Sequence, residues 1–185
     1  EAGGWWTSAG NYDISWYDEA EDSFSISSPA QLAGVAYLVK NGRTFEGKTV
    51  TLSGNIDLDG LKWEPIGKAN LQQIFKGVFD GGGYEIHNLR SEVISTGEAY
   101  SGLFGAIYQA RVTRVVLAED CEIRTSYYGG GVVAYAQESE IVSCENRASV
   151  SFEGPAGYVG GIAGYVSTSS IDRCENLGVV TGTGQ

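Results

Sequence analysis

The sequence predicts an all-β chain wound as a parallel β-helix, with one helix near its start. Three observations carry that expectation. First, a block recurs: Gly160-Gly161-Ile162-Ala163-Gly164-Tyr165-Val166, continuing to Ile171-Asp172-Arg173-Cys174-Glu175-Asn176, matches Gly130-Gly131-Val132-Val133-Ala134-Tyr135-Ala136, continuing to Ile141-Val142-Ser143-Cys144-Glu145-Asn146, thirty positions earlier. A third copy opens at Gly102-Leu103-Phe104-Gly105-Ala106-Ile107, with Val112-Thr113-Arg114-Val115 in the place of Ile171-Asp172-Arg173-Cys174. A period in this range marks stacked units, each unable to bury its apolar side alone. Second, 27 glycines against 3 prolines, with Val, Ile and Tyr abundant, indicate many short strands and tight turns. Third, each unit reads as three short apolar strands with glycines between them. It has neither the spaced leucines of a leucine-rich repeat nor room for a helix of its own, and propeller blades need longer periods.

The chain in order supports the same architecture. Residues 1–27 carry Trp5, Trp6, Trp16, Tyr12, Tyr17 and Phe24 among Asp18, Glu19, Glu21 and Asp22. Aromatics at this density stack on sugar rings, and a segment folded across the end of a β-stack needs the same residues, so both readings stand at this point. Phe24, Ser25 and Ile26 alternate as a short strand. Ser28-Pro29-Ala30-Gln31 is a helix start, with Ser28 as N-cap, Pro29 at the first helical position and Gln31 placed to close a capping box. Leu32, Val35, Ala36 and Val39 follow at helical spacing, and Asn41-Gly42 ends the run. A lone helix ahead of repeated strands is best explained as an end cap, because the first layer of a stack otherwise exposes apolar surface and strand edge. The chain therefore divides into an aromatic segment with capping helix, 1–47, and the repeats, 48–185.

Lys48–Leu52 and Asn55–Asp59 alternate apolar with polar, which points Val50, Leu52, Ile56 and Leu58 inward. Trp63-Glu64-Pro65-Ile66-Gly67 is a turn with an aromatic anchor, Phe75–Asp80 starts the next strand, and Gly81-Gly82-Gly83 turns it. Ile86-His87-Asn88-Leu89 aligns with Val112-Thr113-Arg114-Val115, and Gly178-Val179-Val180-Thr181 with Ala148-Ser149-Val150-Ser151. Stacking of equivalent positions predicts three ladders: Leu103, Val132 and Ile162; Val115, Cys144 and Cys174; and the amides of Asn146 and Asn176. The paired glycines bring the backbone through a corner where a Cβ would collide. The three cysteines match no zinc spacing. Cys144 and Cys174 would lie about 4.8 Å apart along the stack, within disulfide range. Parallel side chains meet poorly for that bond, however, so a buried ladder of free thiols is expected.

These residues also carry a family resemblance. Gly102-Leu103-Phe104-Gly105, Gly160-Gly161-Ile162-Ala163-Gly164-Tyr165 and the two Cys-Glu-Asn triplets resemble the GLUG-type repeats of bacterial cell-surface proteins. Gln31–Ala36, Phe45–Val50, Ile56-Asp57-Leu58, Trp63–Gly67 and Phe75–Gly81 look like the segment that commonly precedes those repeats, so the resemblance covers about residues 28–180. It implies a right-handed parallel β-helix, an extracellular or cell-surface location, and a role in adhesion or as a stalk. It brings no catalytic residues.

The formal net charge of −11 opposes binding to nucleic acid, anionic lipid or other polyanions. No apolar run approaches the roughly 18 residues of a membrane span, so no membrane insertion of this segment is expected. The start, Glu1-Ala2-Gly3-Gly4, lacks signal-peptide regions, there is no methionine, and the end, Gly-Thr-Gly-Gln, lacks a cap. An excised segment with further repeats of the same chain beyond it is the expectation. Since parallel β-helices include polysaccharide lyases and hydrolases, the carboxylates to weigh are Asp57, Asp59, Asp80 and Glu85. The first pair shares an outer face within reach of a calcium ion or a sugar ring, but a solvated edge needs nothing more, and Asp80 before three glycines is a turn residue. His87, the only histidine, points outward if Ile86 points in, and no serine triad, zinc motif or phosphate loop includes it. The expectation is a non-enzymatic module without cofactor or metal. The alternative is a carbohydrate-binding or polysaccharide-cleaving role, with Trp5, Trp6, Trp16, Trp63, Tyr127 and Tyr128 as candidate ligand-binding residues and a host or bacterial surface glycan or protein as partner.

Overall fold

Five parallel sheets build the molecule, and from Val78 to Ser167 the chain visits them in the same order in each coil. In the computed structural model, which describes residues 4–95 and 97–183, the first sheet holds six strands: Ser23–Ile26, Thr49–Leu52, Val78–Asp80, Arg111–Thr113, Glu140–Val142 and Ser170–Asp172. The second holds Ile56–Asp57, Glu85–His87, Val116–Leu117, Glu145–Asn146 and Glu175–Asn176. The third holds Arg90–Val93, Glu122–Thr125, Ser149–Glu153 and Val180–Thr183. The fourth holds Tyr100–Ser101, Tyr128–Gly130 and Tyr158–Gly160, and the fifth Phe104–Tyr108, Val133–Gln137 and Ala163–Ser167. The protein is a parallel β-solenoid of about five coils with one helix, α1 (Pro29–Lys40).

The three middle coils have five short strands each where the sequence suggested three. The additional corners do not need glycine or proline: Asn88, Arg114, Ser143 and Arg173 turn the chain at φ between 52° and 56°, and Gln109, Glu138 and Thr168 do so at 49°. Corners built from ordinary polar residues carry no punctuation signal. The same fact explains a misplaced alignment. Val112 stacks on Phe79, and Ile86 stacks under Leu117, so Ile86-His87-Asn88-Leu89 is not the counterpart of Val112-Thr113-Arg114-Val115. Both segments are strand, left-handed residue, buried residue, and one coil contains that pattern at two different corners.

The late ladders follow the thirty-residue repeat. Phe104, Val133 and Ala163 are in register, which places Leu103, Val132 and Ile162 in one column. Leu117, Asn146 and Asn176 form another, in which Asn146 Nδ2 donates to Asn176 Oδ1 at 2.9 Å. Gly131 and Gly161 lie against these amides, and a Cβ at either would collide with the asparagine beneath it. Cys121, Cys144 and Cys174 are free thiols. The Cys144 N–H points to Cys174 Sγ at 3.4 Å, and burial pushes the Cys144 thiol up to about 12. Phe104 packs between Phe75 and Phe79, ring centres 5.1 and 5.2 Å away, and all three rings are fully buried.

The first coil is covered. Ser28 Oγ accepts from the Gln31 N–H at 3.2 Å while Gln31 Oε1 accepts from Ser28, closing the capping box. Leu32, Val35, Ala36 and Val39 face the core. Trp6, Tyr12, Trp16 and Tyr17 pack against that core from residues ahead of the helix. The chain crosses α1 closely: the Asp13 N–H donates to the Ala30 carbonyl at 2.8 Å, Trp16 Nε1 donates to the Asp13 carbonyl at 2.7 Å, and Tyr12 stacks on Tyr37 at 3.9 Å. Only glycine fits at position 34, because any Cβ there would strike the Asp13 carbonyl. Ser23–Ile26, which lies within the 1–47 segment, already pairs with Thr49–Leu52, so cap and coils share one sheet.

Candidate functional site: a cleft below a tyrosine corner

Where the fourth sheet meets the fifth, outward tyrosines from both sheets meet. Tyr100, Tyr128 and Tyr158 stack in one column, with ring centres 5.1 and 5.5 Å apart and planes within 14°. Tyr135 and Tyr165 stack in a second column at 5.0 Å. The columns interlock edge to face, Tyr128 against Tyr135 at 5.6 Å and Tyr158 against Tyr165 at 5.3 Å. Such pairs contribute about 0.5–1.5 kcal/mol each beyond their burial. Tyr127 leans edge-on against Tyr128 at 4.6 Å. Within the columns the ring faces are taken up by one another, and Tyr128 is only 9% exposed. Burial and the surrounding tyrosine and Glu98 oxygens push the Tyr128 hydroxyl up to about 12.

Tyr100 is the first rung, because the fourth sheet begins with it. One face stacks on Tyr128, and the residue also lines a cleft of about 450 Å³. Trp5, Pro65, Glu64, Glu98, Lys40 and Lys68 line the same cleft. Trp5 is placed there by the folding back of the N-terminal segment, which bridges to Lys62: Trp6 N–H donates to the Lys62 carbonyl at 3.0 Å and Lys62 N–H to the Gly4 carbonyl at 3.1 Å. Trp5 is 38% exposed, with Lys62 Nζ 5.7 Å from the centre of its ring. Glu64 is held by Lys40 Nζ at 3.0 Å and by the Thr7 hydroxyl. Glu98 Oε2 accepts the Tyr100 hydroxyl at 2.8 Å, and burial together with that carboxylate raises the Tyr100 hydroxyl far above the usual tyrosine range. Tyr100 is therefore a neutral donor fixed in one orientation.

The candidate residues read from sequence separate into two groups. Trp5 lines the cleft, and Tyr127 and Tyr128 belong to the corner beside it. Trp6 is half-buried with its indole N–H on the Leu58 carbonyl at 3.1 Å, and Trp16 packs on Phe24 at 5.2 Å, both as parts of the cover. Trp63 is wholly buried with its N–H on the Leu103 carbonyl at 3.0 Å, and it presents no face to a ligand. Tyr100, Tyr135, Tyr158, Tyr165 and Glu98 were missed. The signal was there: the spacing that aligns Cys144 with Cys174 also aligns Tyr128 with Tyr158 and Tyr135 with Tyr165.

Asp80, Asp57 and Glu85 are each held by partners. Asp80 takes a two-pronged contact from Arg114 and the Gly82 N–H; burial opposes its ionisation, but these donors prevail and hold its pKa below the usual value. Asp57 Oδ1 accepts the Asp59 N–H and Asn88 Nδ2, each at 3.0 Å. Glu85 is shared between His87 Nε2 and Arg147 Nη1, each at 3.0 Å. His87 Nδ1 meets Asp120 Oδ2 at 2.9 Å; that hydrogen bond raises the imidazole pKa most, with Glu85 adding to it against the opposing effect of burial. Among the described residues, no group of three or more His, Cys, Asp or Glu side chains is placed to hold a metal ion, and no helix is long and apolar enough to cross a membrane. Compared with protein-family profiles, with curated proteins and with solved structures, the chain matches none of them.

Proposed function

We propose that this chain is a non-enzymatic β-solenoid module of a secreted or surface-anchored bacterial protein, acting in adhesion or as a structural stalk, as its resemblance to GLUG-type repeats implies. The observation that supports adhesion over a bare spacer is the tyrosine corner. Five outward aromatic rings are held along the solenoid axis, with an open cleft below the first of them. A pure spacer needs inward ladders, and nothing in its inward packing calls for an ordered aromatic column outside. The carbohydrate reading is the second one, favoured by an exposed tryptophan and a tyrosine lining a cleft that also holds carboxylates.

Beads coated with the protein and passed over bacterial and epithelial cell layers test the adhesion reading. Retention above that of beads coated with an unrelated acidic protein is the expected result. Equal retention would leave only the stalk. Release of reducing ends from a soluble polysaccharide by the purified chain would overturn the non-enzymatic assignment.

A further inference from the structure

We propose that the cleft beneath Tyr100 binds a ring of a neutral saccharide, held against Trp5 and Tyr100 and hydrogen-bonded by Glu98 and by the Lys40–Glu64 pair. The inference rests on the adhesion reading and names the ligand class for it. Four features of the cleft argue for that class.

The first is the geometry of the column. Stacking consumes both faces of Tyr128, whereas Tyr100 has a stacked tyrosine on one side only and lines the cleft, because the coil before it contributes no strand to the fourth sheet. Trp5, held by the backbone bridge to Lys62, gives the same cleft a second aromatic surface. Two aromatic rings on one cleft suit the apolar C–H face of a sugar ring. The second is the polar rim. Lys40 Nζ and Glu64 Oε1 sit 3.0 Å apart, a donor beside an acceptor, which matches neighbouring sugar hydroxyls that each donate and accept. Glu98 uses Oε2 for Tyr100 and receives no hydrogen bond on Oε1 from the described residues, so it can accept one more.

The third is charge. The two carboxylates of the cleft are balanced by Lys40 and Lys68, so the lining has no excess of cations to attract an anion, and the net charge of −11 disfavours uronate, sulfated or sialylated chains. The fourth separates sugars from proline-rich peptides, which also seek aromatic grooves. A proline has no N–H, so a polyproline strand offers carbonyl acceptors that satisfy Lys40 and Lys68 but leave Glu64 and Glu98 without donors, whereas sugar hydroxyls serve both. Size agrees as well, since about 450 Å³ lies within the range of small-ligand sites.

The test is binding of the soluble chain to an array of neutral oligosaccharides built on glucose, galactose, mannose, xylose and N-acetylglucosamine. Oligogalacturonate and a proline-rich peptide are printed alongside, and tryptophan fluorescence titration follows on any hit. A neutral glycan should bind, and Trp5→Ala and Tyr100→Ala should each weaken it about tenfold or more. Glu98→Gln, which keeps the shape and removes the charge, should weaken it by a smaller factor. Tyr158→Ala, at the far end of the column, should leave it unchanged. Trp5 is the decisive position because it lies outside the coils, so its loss leaves the solenoid core intact even if Tyr100→Ala disturbs the column. Absence of any neutral hit, a preference for oligogalacturonate or the peptide, or full binding by Trp5→Ala would each overturn the proposal. Cell-bound beads that Trp5→Ala still retains would overturn the cleft while leaving adhesion standing; unretained beads with a sugar-binding cleft would do the reverse.

Discussion

The first and the last described coils differ in what covers them. At the first coil, α1 and the segment ahead of it lay Leu32, Val35, Trp6, Tyr12 and Trp16 over the core. At the last coil nothing among the described residues does so, and positions that are core one coil earlier face solvent. Ile141 is fully buried and Ile171 45% exposed; Val150 is fully buried and Val180 40% exposed. Asn146 is buried, while Asn176 at the same ladder position is exposed. Burial in a solenoid is therefore conferred by the next coil and not by the residue's own coil, as expected where each unit contacts only its neighbours.

The sharpest test of that contrast compares equivalent apolar truncations. Phe104→Ala, inside the Phe75–Phe79 sandwich, should lower stability by about 3–5 kcal/mol, read from the urea midpoint. Ile171→Ala should stay within about 0.5–1 kcal/mol. Similar losses at the two sites would mean that the last coil is covered in solution.

A second pair probes the corner. Gly131→Ala drives a methyl group into Asn146 and also into the Gly161 carbonyl, whereas the three atoms nearest a methyl group at Gly161→Ala all belong to the exposed side chain of Asn176. Overpacking predicts a loss of roughly 1–3 kcal/mol for the first and a smaller one for the second, because Asn176 can swing into solvent at the cost of its exposed-side hydrogen bonds to Asn146 and Gly178. Equal losses measured by thermal melting would refute the view that the upper coil sets the cost.

The smallest effect is on the outer face of the middle coils, at His87. Its pKa is raised above 6.5 by Asp120 and Glu85, so its contribution is fully present below pH 6.5 and is lost as pH rises through the raised value. Asp120 keeps its charge to below 3.8: burial opposes ionisation, but the Asn88 N–H and His87 prevail, so the pair persists in mildly acidic solution. His87→Gln should therefore be less stable than the parent between about pH 5 and 6.5 and should converge with it at alkaline pH. A gap that does not change with pH would show that the ring acts by packing alone.

Much of this was legible in the residues because it is local. The capping box of α1 needs only Ser28 and Gln31, and the late ladders need only a thirty-position repeat with apolar residues that recur. The register of the early coils was not legible, since Asn88 and Arg114 turn corners in the same left-handed conformation, each after a half-buried residue and before a buried one. Trp63 illustrates another failure. Its composition-level likeness to Trp5 hid the fact that one is core and the other surface, because an aromatic ring is equally suited to both.

What the sequence determined by itself was the class of fold: the repeat period, the alternation within strands and the single capped helix admit few arrangements other than stacked coils. What only the tertiary structure decided was the site. The cleft exists because the N-terminal segment folds back to set Trp5 beside the same opening as Pro65 and Tyr100, and because two sheets meet at a corner that locks tyrosines edge to face. Those contacts join residues far apart in the chain, and no periodicity encodes which outward side chains will meet.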